Sequence, residues 1–182
     1  RLPEAIVYAI EPSREANEGL MKRFSHYANV SVKEVALSDR EGQVKLWSPE
    51  PGSVLGSLSQ RRLDHYGIDN LKSELVPAVT LEHFCHQVGQ IPSILKLDIE
   101  GHEFAVLESS KEILEKVDVV QFEFGVCNID TRTFFQDFWY LLIPRGFRLY
   151  RLTPRGLIEV KKYRELDEAF DVTNYFAVNE RV

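Results

Sequence analysis

The chain has 182 residues, of which 44% are hydrophobic and 27% are charged, and these fractions are typical of a soluble globular domain. Its 22 Lys and Arg against 28 Asp and Glu residues give a net charge of −6, which argues against the broad basic surface that nucleic-acid binding requires. Two cysteines, Cys85 and Cys127, are too few for a secreted disulfide framework, so we expect reduced thiols and a cytoplasmic protein. No apolar run is long enough to span a bilayer.

The first half of the chain is predicted to alternate between strands and helices. In chain order these elements are a strand over 6–10, a helix over 13–28, a strand over 30–37, a short strand over 43–47 that would form a hairpin with it, and a helix over 80–88. Between them, residues 49–62 are rich in proline, glycine and serine. We expect this loop to cover a bound substrate.

The second half continues the alternation. Its predicted elements are a strand over 93–99, a helix over 102–116, a strand over 117–124, an aromatic-rich helix over 131–143, and strands over 147–152, 157–160 and 172–178. This pattern predicts an α/β fold in which a parallel sheet carries helices on both faces, within a single domain over residues 1–182. Ligands of such sheets bind beyond the carboxyl ends of the strands.

Glu11 follows the first predicted strand directly. A carboxylate at that place can accept hydrogen bonds from both hydroxyls of a ribose, as it does in NAD sites and in S-adenosylmethionine sites. In the alternative interpretation, Glu11 and Ser13 only cap the helix that follows. The position alone does not choose between these roles.

Residues 95–103, with the sequence LKLDIEGHE, carry the strongest signal. Strand periodicity places Lys96, Asp98 and Glu100 on one face, although a central parallel strand is normally apolar on both faces. Three alternating charges favour a polar pocket at the carboxyl end of the strand. The alternative is a structural ion pair of Lys96 with Asp98 or Glu123.

The residues after this strand fit the pocket interpretation. Gly101 permits a sharp turn, and His102 would begin the next helix, where the helix dipole favours a neutral imidazole that can act as a base. Glu123 would join the rim of the pocket if the strands over 93–99 and 117–124 are neighbours. We predict no metal site at His83, Cys85 and His86, since Cys85 belongs to the apolar face of its helix.

Four motifs occur in a fixed order: VYAIEPS over 7–13, VALSD over 35–39 with Gly42, VTL over 79–81, and LKLDIEGHE. Together they resemble the FkbM-type family of S-adenosylmethionine-dependent methyltransferases. The resemblance covers about residues 6–150, and the run Lys-x-Asp-x-Glu-Gly-His-Glu makes it specific. It implies a Rossmann-like class I methyltransferase fold, with a mainly parallel sheet and a late antiparallel strand.

The resemblance also implies the cofactor and its contacts. S-adenosyl-L-methionine would be bound through its ribose by Glu11, next to Pro12 and Ser13. The adenine would be surrounded by four consecutive residues, Ala36, Leu37, Ser38 and Asp39, the first two through their backbone. Three side chains would lie beside the methionine moiety and the acceptor: Asp98, Glu100 and His102.

One feature departs from the family pattern. Class I folds begin with a strand and a glycine-rich loop, whereas this chain contains no Gly-x-Gly-x-x-Gly and starts with Arg1, just before what would be the second strand. We therefore interpret the sequence as truncated at its N-terminus, without that strand and loop.

These observations predict an O-methyltransferase that acts on a hydroxyl of a sugar or secondary metabolite, with His102, or failing that Asp98, as the base. The acceptor would be a small molecule or a glycan. Three alternatives stay open: a non-catalytic nucleotide-cofactor-binding domain, an NAD-dependent enzyme that recognises ribose through Glu11, and a metal enzyme built on Asp98, Glu100 and Glu103. No oligomeric state is predicted.

Overall fold

The structure is a computed structural model, and it describes residues 4–182. Arg1, from which the sequence analysis inferred a truncated start, lies outside the described residues. The chain divides into two compact units, of which the first ends at Val79 and the second comprises Thr80–Val182. Across residues 4–182, no helix combines the length and the apolar character needed to cross a membrane.

The first unit begins with a parallel strand pair and one long helix. Its elements are β1 (Val7–Ile10), α1 (Arg14–Phe24), β2 (Val30–Lys33), β3 (Ala36–Leu37), β4 (Gly42–Ser48), a 3-10 turn (Asp64–Tyr66) and β5 (Lys72–Val79). β1 pairs in parallel with β2, from Val7 opposite Val30 to Ile10 opposite Lys33. The loop over 49–62 is held to β4 by two backbone hydrogen bonds between Trp47 and Ser57, at 2.8 and 2.9 Å.

A second sheet of this unit corrects two predictions. The strand predicted over 30–37 is two strands, because β3 leaves β2 and pairs in parallel with β5. The predicted hairpin is also wrong, since β4 pairs antiparallel with β5 instead. No strand was predicted at β5, because this segment starts with polar residues and contains Pro77. Its alternate residues Val76 and Ala78 nevertheless pack with Ala36 of β3 and Leu46 of β4 in a small core.

The second unit contains one larger mixed sheet. Its elements are α2 (Leu81–Val88), β6 (Ile94–Leu97), α3 (Glu103–Ser109), α4 (Lys111–Leu114), β7 (Val119–Phe124), α5 (Cys127–Thr131), α6 (Phe135–Leu142), a 3-10 turn (Ile143–Arg145), β8 (Phe147–Thr153), β9 (Gly156–Val160), a 3-10 turn (Glu165–Asp167) and β10 (Thr173–Asn179). The strand order is β6-β7-β10-β8-β9. β6 and β7 are parallel, whereas β10 runs antiparallel between β7 and β8. The expected late antiparallel strand is therefore present, but the sheet is less parallel than the alternation alone predicted.

Three predicted helices have different bounds. α1 ends at Phe24 instead of continuing to residue 28, and the aromatic helix starts at Phe135 instead of residue 131. The helix predicted over 102–116 is two helices, because the backbone of Ser110 leaves the helical region at φ −124° and ψ 39°. Apolar spacing runs on through this break, so periodicity alone could not show it.

Aromatic packing forms the core of the second unit. The rings of Phe122 and Phe138 are stacked, with centroids 4.5 Å apart and planes 4° from parallel. Tyr175 stacks on Phe122 from β10 at 5.6 Å. Each such ring pair adds about 0.5–1.5 kcal/mol beyond the area it buries, so α6 is anchored firmly on β7 and β10.

Candidate active site

Glu11 lies at the carboxyl end of β1, where the sequence predicted it. Its backbone N–H donates to the carbonyl of Lys33 at 3.0 Å, which continues the pairing of β1 with β2. Its Oε1 accepts a hydrogen bond from the backbone N–H of Ser13 at 2.8 Å. Among residues 4–182 no hydrogen bond reaches the second oxygen, Oε2. One oxygen therefore holds the start of α1, while the other is available to a ligand.

The prediction that the Ser13 side chain caps α1 is wrong. The Ser13 hydroxyl makes no capping bond to α1 and instead accepts from the backbone N–H of Gly52 at 3.2 Å. The carboxylate of Glu11 instead accepts from the N–H of Ser13, the residue just before α1. Burial raises the pKa of Glu11, and the hydrogen bond from Ser13 opposes this effect.

The residues predicted around the adenine follow each other along β3 and its end. Ala36 and Leu37 are buried, with their backbones paired to Ala78 and Val79 of β5. Ser38 continues this pairing through its N–H, which donates to Val79 at 2.9 Å. Its hydroxyl donates to Oδ1 of Asp39 at 3.0 Å, so this carboxylate is held at the end of the strand.

Asp98 follows β6 in the second unit and makes the ion pair that the structural alternative predicted. Its Oδ2 lies 2.8 Å from Nζ of Lys96. The two side chains are 44% and 54% exposed, and an ion pair this exposed contributes only about 0–1 kcal/mol. The alternation itself is confirmed, since Leu95 and Leu97 are buried on the opposite face.

The turn into α3 is tightly constrained. Glu100 has a φ of 55° and Gly101 a φ of 96°, a region that side chains rarely adopt. A Cβ on Gly101 would lie 3.0 Å from both Cβ and the carbonyl oxygen of Cys127. The predicted turn at Gly101 is therefore confirmed, with close packing as a second reason. His102 follows as the half-buried residue before the first turn of α3.

Glu103 is the most deeply buried carboxylate near this turn, with only 1% of its surface exposed. Its Oε1 accepts a hydrogen bond from the backbone N–H of Ile99 at 2.8 Å. Oε2 is also buried, and residues 4–182 offer it no hydrogen-bond partner. Burial raises the pKa of Glu103 to about 7, and the charge of Glu123 contributes to the rise.

Glu123 joins the acidic residues after β6, as predicted for neighbouring strands. β6 and β7 pair in parallel, and the carboxylates of Glu100 and Glu123 and the thiol of Cys127 lie within 4.8 Å of one another. The thiol donates to Oε2 of Glu100 at 3.0 Å. Sequence reasoning did not assign Cys127 to this group. Its position three residues after β7 was the signal that could have placed it there.

Comparison with known proteins identifies the family. Residues 1–149 match the model of the methyltransferase FkbM domain, which is most of the chain. The chain belongs to the FkbM methyltransferase family. No curated protein sequence matches significantly.

A solved structure shows the fold of this family. The crystal structure of the methyltransferase FkbM from Methylobacillus flagellatus KT is similar at a TM-score of 0.50 and 14% sequence identity. The similarity covers 93% of this chain and 36% of that chain. This chain therefore spans about a third of the protein it matches. The likeness confirms the predicted Rossmann-like α/β methyltransferase fold.

Proposed function

We propose that this chain binds S-adenosylmethionine and transfers its methyl group to a hydroxyl oxygen of a small molecule or glycan. The observation that carries the proposal is the carboxylate of Glu11 at the end of β1. Its Oε1 is held by the backbone of Ser13 at 2.8 Å, so the orientation of the group is fixed before a ligand arrives. Oε2 then accepts from the ribose, and membership of the FkbM family supports the choice of cofactor.

The end of β3 supplies the proposed adenine contacts. The Ser38 hydroxyl donates to Oδ1 of Asp39 and so orients this carboxylate, and we propose that it accepts from the exocyclic amino group of the adenine. The backbones of Ala36 and Leu37 are fixed by their pairing with β5, and we propose that they flank the ring. Pro12 and Ser13 complete the contacts proposed beside Glu11.

The methyl-transfer step needs orientation and a proton acceptor. When bound, S-adenosylmethionine would supply the methyl group: the carbon–sulfur bond would break as the carbon–oxygen bond forms, leaving S-adenosylhomocysteine and a proton from the hydroxyl. Holding the two reactants in line supplies about 7–11 kcal/mol in well-oriented reactions. We propose that Asp98 and Glu100 bind beside the reacting groups, and that His102 accepts the hydroxyl proton, a role that contributes about 10²–10⁴-fold. Because Asp98 pairs with Lys96, it is the weaker candidate for the base.

Calorimetric titration with S-adenosylhomocysteine tests the cofactor site. We expect saturable binding to the chain, loss of binding in Glu11→Gln, and unchanged binding in Glu18→Gln, an exposed glutamate of α1. A folded chain that binds no S-adenosylhomocysteine, or that binds it equally well after Glu11→Gln, would contradict the proposed ribose contact.

Transfer of a labelled methyl group to a panel of sugars and polyols tests the reaction. His102→Gln should lower the turnover about 10²–10⁴-fold while the affinity for S-adenosylhomocysteine stays the same. Asp98→Asn should lower the turnover less than His102→Gln does. Full turnover by His102→Gln would remove this residue from the role of base, and binding without transfer to any acceptor would favour a non-catalytic domain.

A further inference from the structure

We propose that Glu100, Glu123 and Cys127 form a binding site for a divalent transition-metal cation of the zinc type. The three residues come from different elements of the second unit: the turn after β6, the end of β7 and the start of α5. The proposal concerns metal binding and does not depend on methyl transfer. It also differs from the metal enzyme considered from the sequence, because Asp98 pairs with Lys96 and is not among these ligands.

The ligand atoms are close enough to converge on one such ion after small side-chain shifts. One ligand atom from each residue lies within 4.8 Å of the others. Tetrahedral zinc with sulfur at 2.3 Å and oxygen at 2.0–2.2 Å requires ligand atoms about 3.3–3.7 Å apart. The thiol proton now bridges Sγ of Cys127 and Oε2 of Glu100 at 3.0 Å. A cation would replace that proton, with a widening of only about half an ångström.

Glu103 provides an independent observation that points to a ligand. Only 1% of its surface is exposed, and within the described part of the chain Oε2 has no hydrogen-bond partner, whereas Oε1 is held by Ile99. Ile99 directly precedes Glu100, so the contact of Oε1 with its N–H places the carboxylate of Glu103 at the same turn as Glu100. Buried carboxylate oxygens are rarely left without a partner, and a cation held at this turn, or a water bound to it, would supply one to Oε2.

The chemistry of the donors selects the class of ion. A thiolate favours zinc and related transition metals, whereas magnesium and calcium prefer sites made of oxygen alone. Asn128 offers support beyond the ligands: Oδ1 accepts from the backbone of Gly125 at 2.9 Å, while no residue from 4 to 182 pairs with its buried Nδ2. An amide N–H at this place, directly after Cys127, can donate to a metal-bound sulfur or carboxylate.

Cobalt titration of the purified chain tests the site. Co²⁺ bound by a thiolate gives a charge-transfer absorption, so we expect this band to saturate at one ion per chain and to disappear when Zn²⁺ is added. Cys127→Ser should abolish the band, whereas Cys85→Ser, which changes the other buried cysteine, should retain it. Glu123→Gln should weaken Co²⁺ binding about tenfold or more, and Glu112→Gln on the exposed face of α4 should not.

Three results would overturn the proposal: no charge-transfer band, a band that persists in Cys127→Ser, or a band lost in Cys85→Ser. Circular dichroism of each variant shows whether it is folded. If Cys127→Ser does not fold, the titration of Glu100→Gln decides the question by the same tenfold criterion. Because the readout is metal binding alone, its failure is separate from any failure to bind S-adenosylhomocysteine.

Discussion

At the scale of single residues, the strictest requirements lie in the turn between β6 and α3. Gly101 has a φ of 96° and its backbone packs against Cys127. Glu100 also has a positive φ, although it is not a glycine. A non-glycine residue in this region stores about 1–3 kcal/mol, which is tolerated only where the surroundings hold it. The turn therefore fixes where Glu100 and His102 emerge from the sheet.

Gly101→Ala should destabilise the chain by about 2–4 kcal/mol, because the new Cβ adds a 3.0 Å contact with Cys127 to the strain of the positive φ. Gly89→Ala is the matched control. Gly89 has a φ of 67°, but its Cβ would meet nothing within 4 Å, so only the conformational cost of about 1 kcal/mol applies. Urea unfolding measures the free energy of unfolding of both variants. Equal losses of stability would show that the contact with Cys127 is unimportant.

The pH dependence of cofactor binding follows from Glu11. Burial raises the pKa of this carboxyl, and only the ionised form accepts hydrogen bonds from both ribose hydroxyls. The affinity for S-adenosylhomocysteine should therefore rise with pH through the acidic range, with its midpoint above the ordinary pKa of a glutamate. Titrations across this range should show the rise in the unaltered chain and not in Glu11→Gln. The same rise in the variant would assign it to another group.

At the scale of elements, α6 is capped by a residue from a distant part of the chain. Both oxygens of Glu168 accept from its first turn: Oε2 from the N–H of Phe135 at 2.7 Å and Oε1 from that of Gln136 at 2.9 Å. A carboxylate at this end also interacts favourably with the helix dipole. Sequence patterns near residue 131 could not show this, because the capping group comes from more than 30 residues later.

Glu168→Ala should lower the free energy of unfolding by about 1–2 kcal/mol, since the N–H groups at the start of α6 lose their acceptor. Glu165→Ala, at an exposed position in the same segment, should change it by less than about 0.5 kcal/mol. Chemical denaturation followed by circular dichroism compares the two. Equal effects would mean that the capping contact adds nothing.

The hydrogen bond between Tyr163 and Glu168 makes the stability of the folded chain sensitive to alkaline pH. Partial burial and the hydrogen bond that Tyr163 donates to Glu168 at 2.9 Å raise the pKa of Tyr163 to about 12. The unfolded chain loses this phenolic proton near pH 10, while the folded chain keeps it, so the contribution to stability is complete below about pH 10 and is lost as pH rises to about 12. Thermal unfolding of Tyr163→Phe should show a shallower decline over this interval. An unchanged slope would assign the decline to other groups.

The bounds of helices and strands were predicted well where local residues alone determine them. α2 begins after Thr80, whose hydroxyl caps it as an N-cap threonine should, and ends before Gly89. The strands from β8 to β10 also fall close to their predicted bounds. Prediction failed where pairing between distant segments decided the result. Nothing local indicates that β4 pairs with β5 rather than with the strand just before it.

At the scale of the whole molecule, the residues of the candidate site were likewise predicted only in part. Glu11, Asp98 and Glu123 were found because strand ends can be read from a sequence and ligands gather there. The grouping of Cys127 with Glu100 and Glu123 could not be found, since it depends on how the turn at Gly101 packs against α5. Orphaned atoms such as Oε2 of Glu103 exist only as properties of the folded chain.

The division into two compact units places one of the two tryptophans in each: Trp47 on β4 and Trp139 on α6. Each indole is therefore a separate fluorescent reporter, once the other has been changed to phenylalanine. Coincident unfolding curves for Trp47→Phe and Trp139→Phe would show that residues 1–182 melt as one cooperative domain, as the sequence predicts. Two separate transitions would show that each unit keeps its own structure when the other is lost, so that a destabilising change in one unit need not unfold the other.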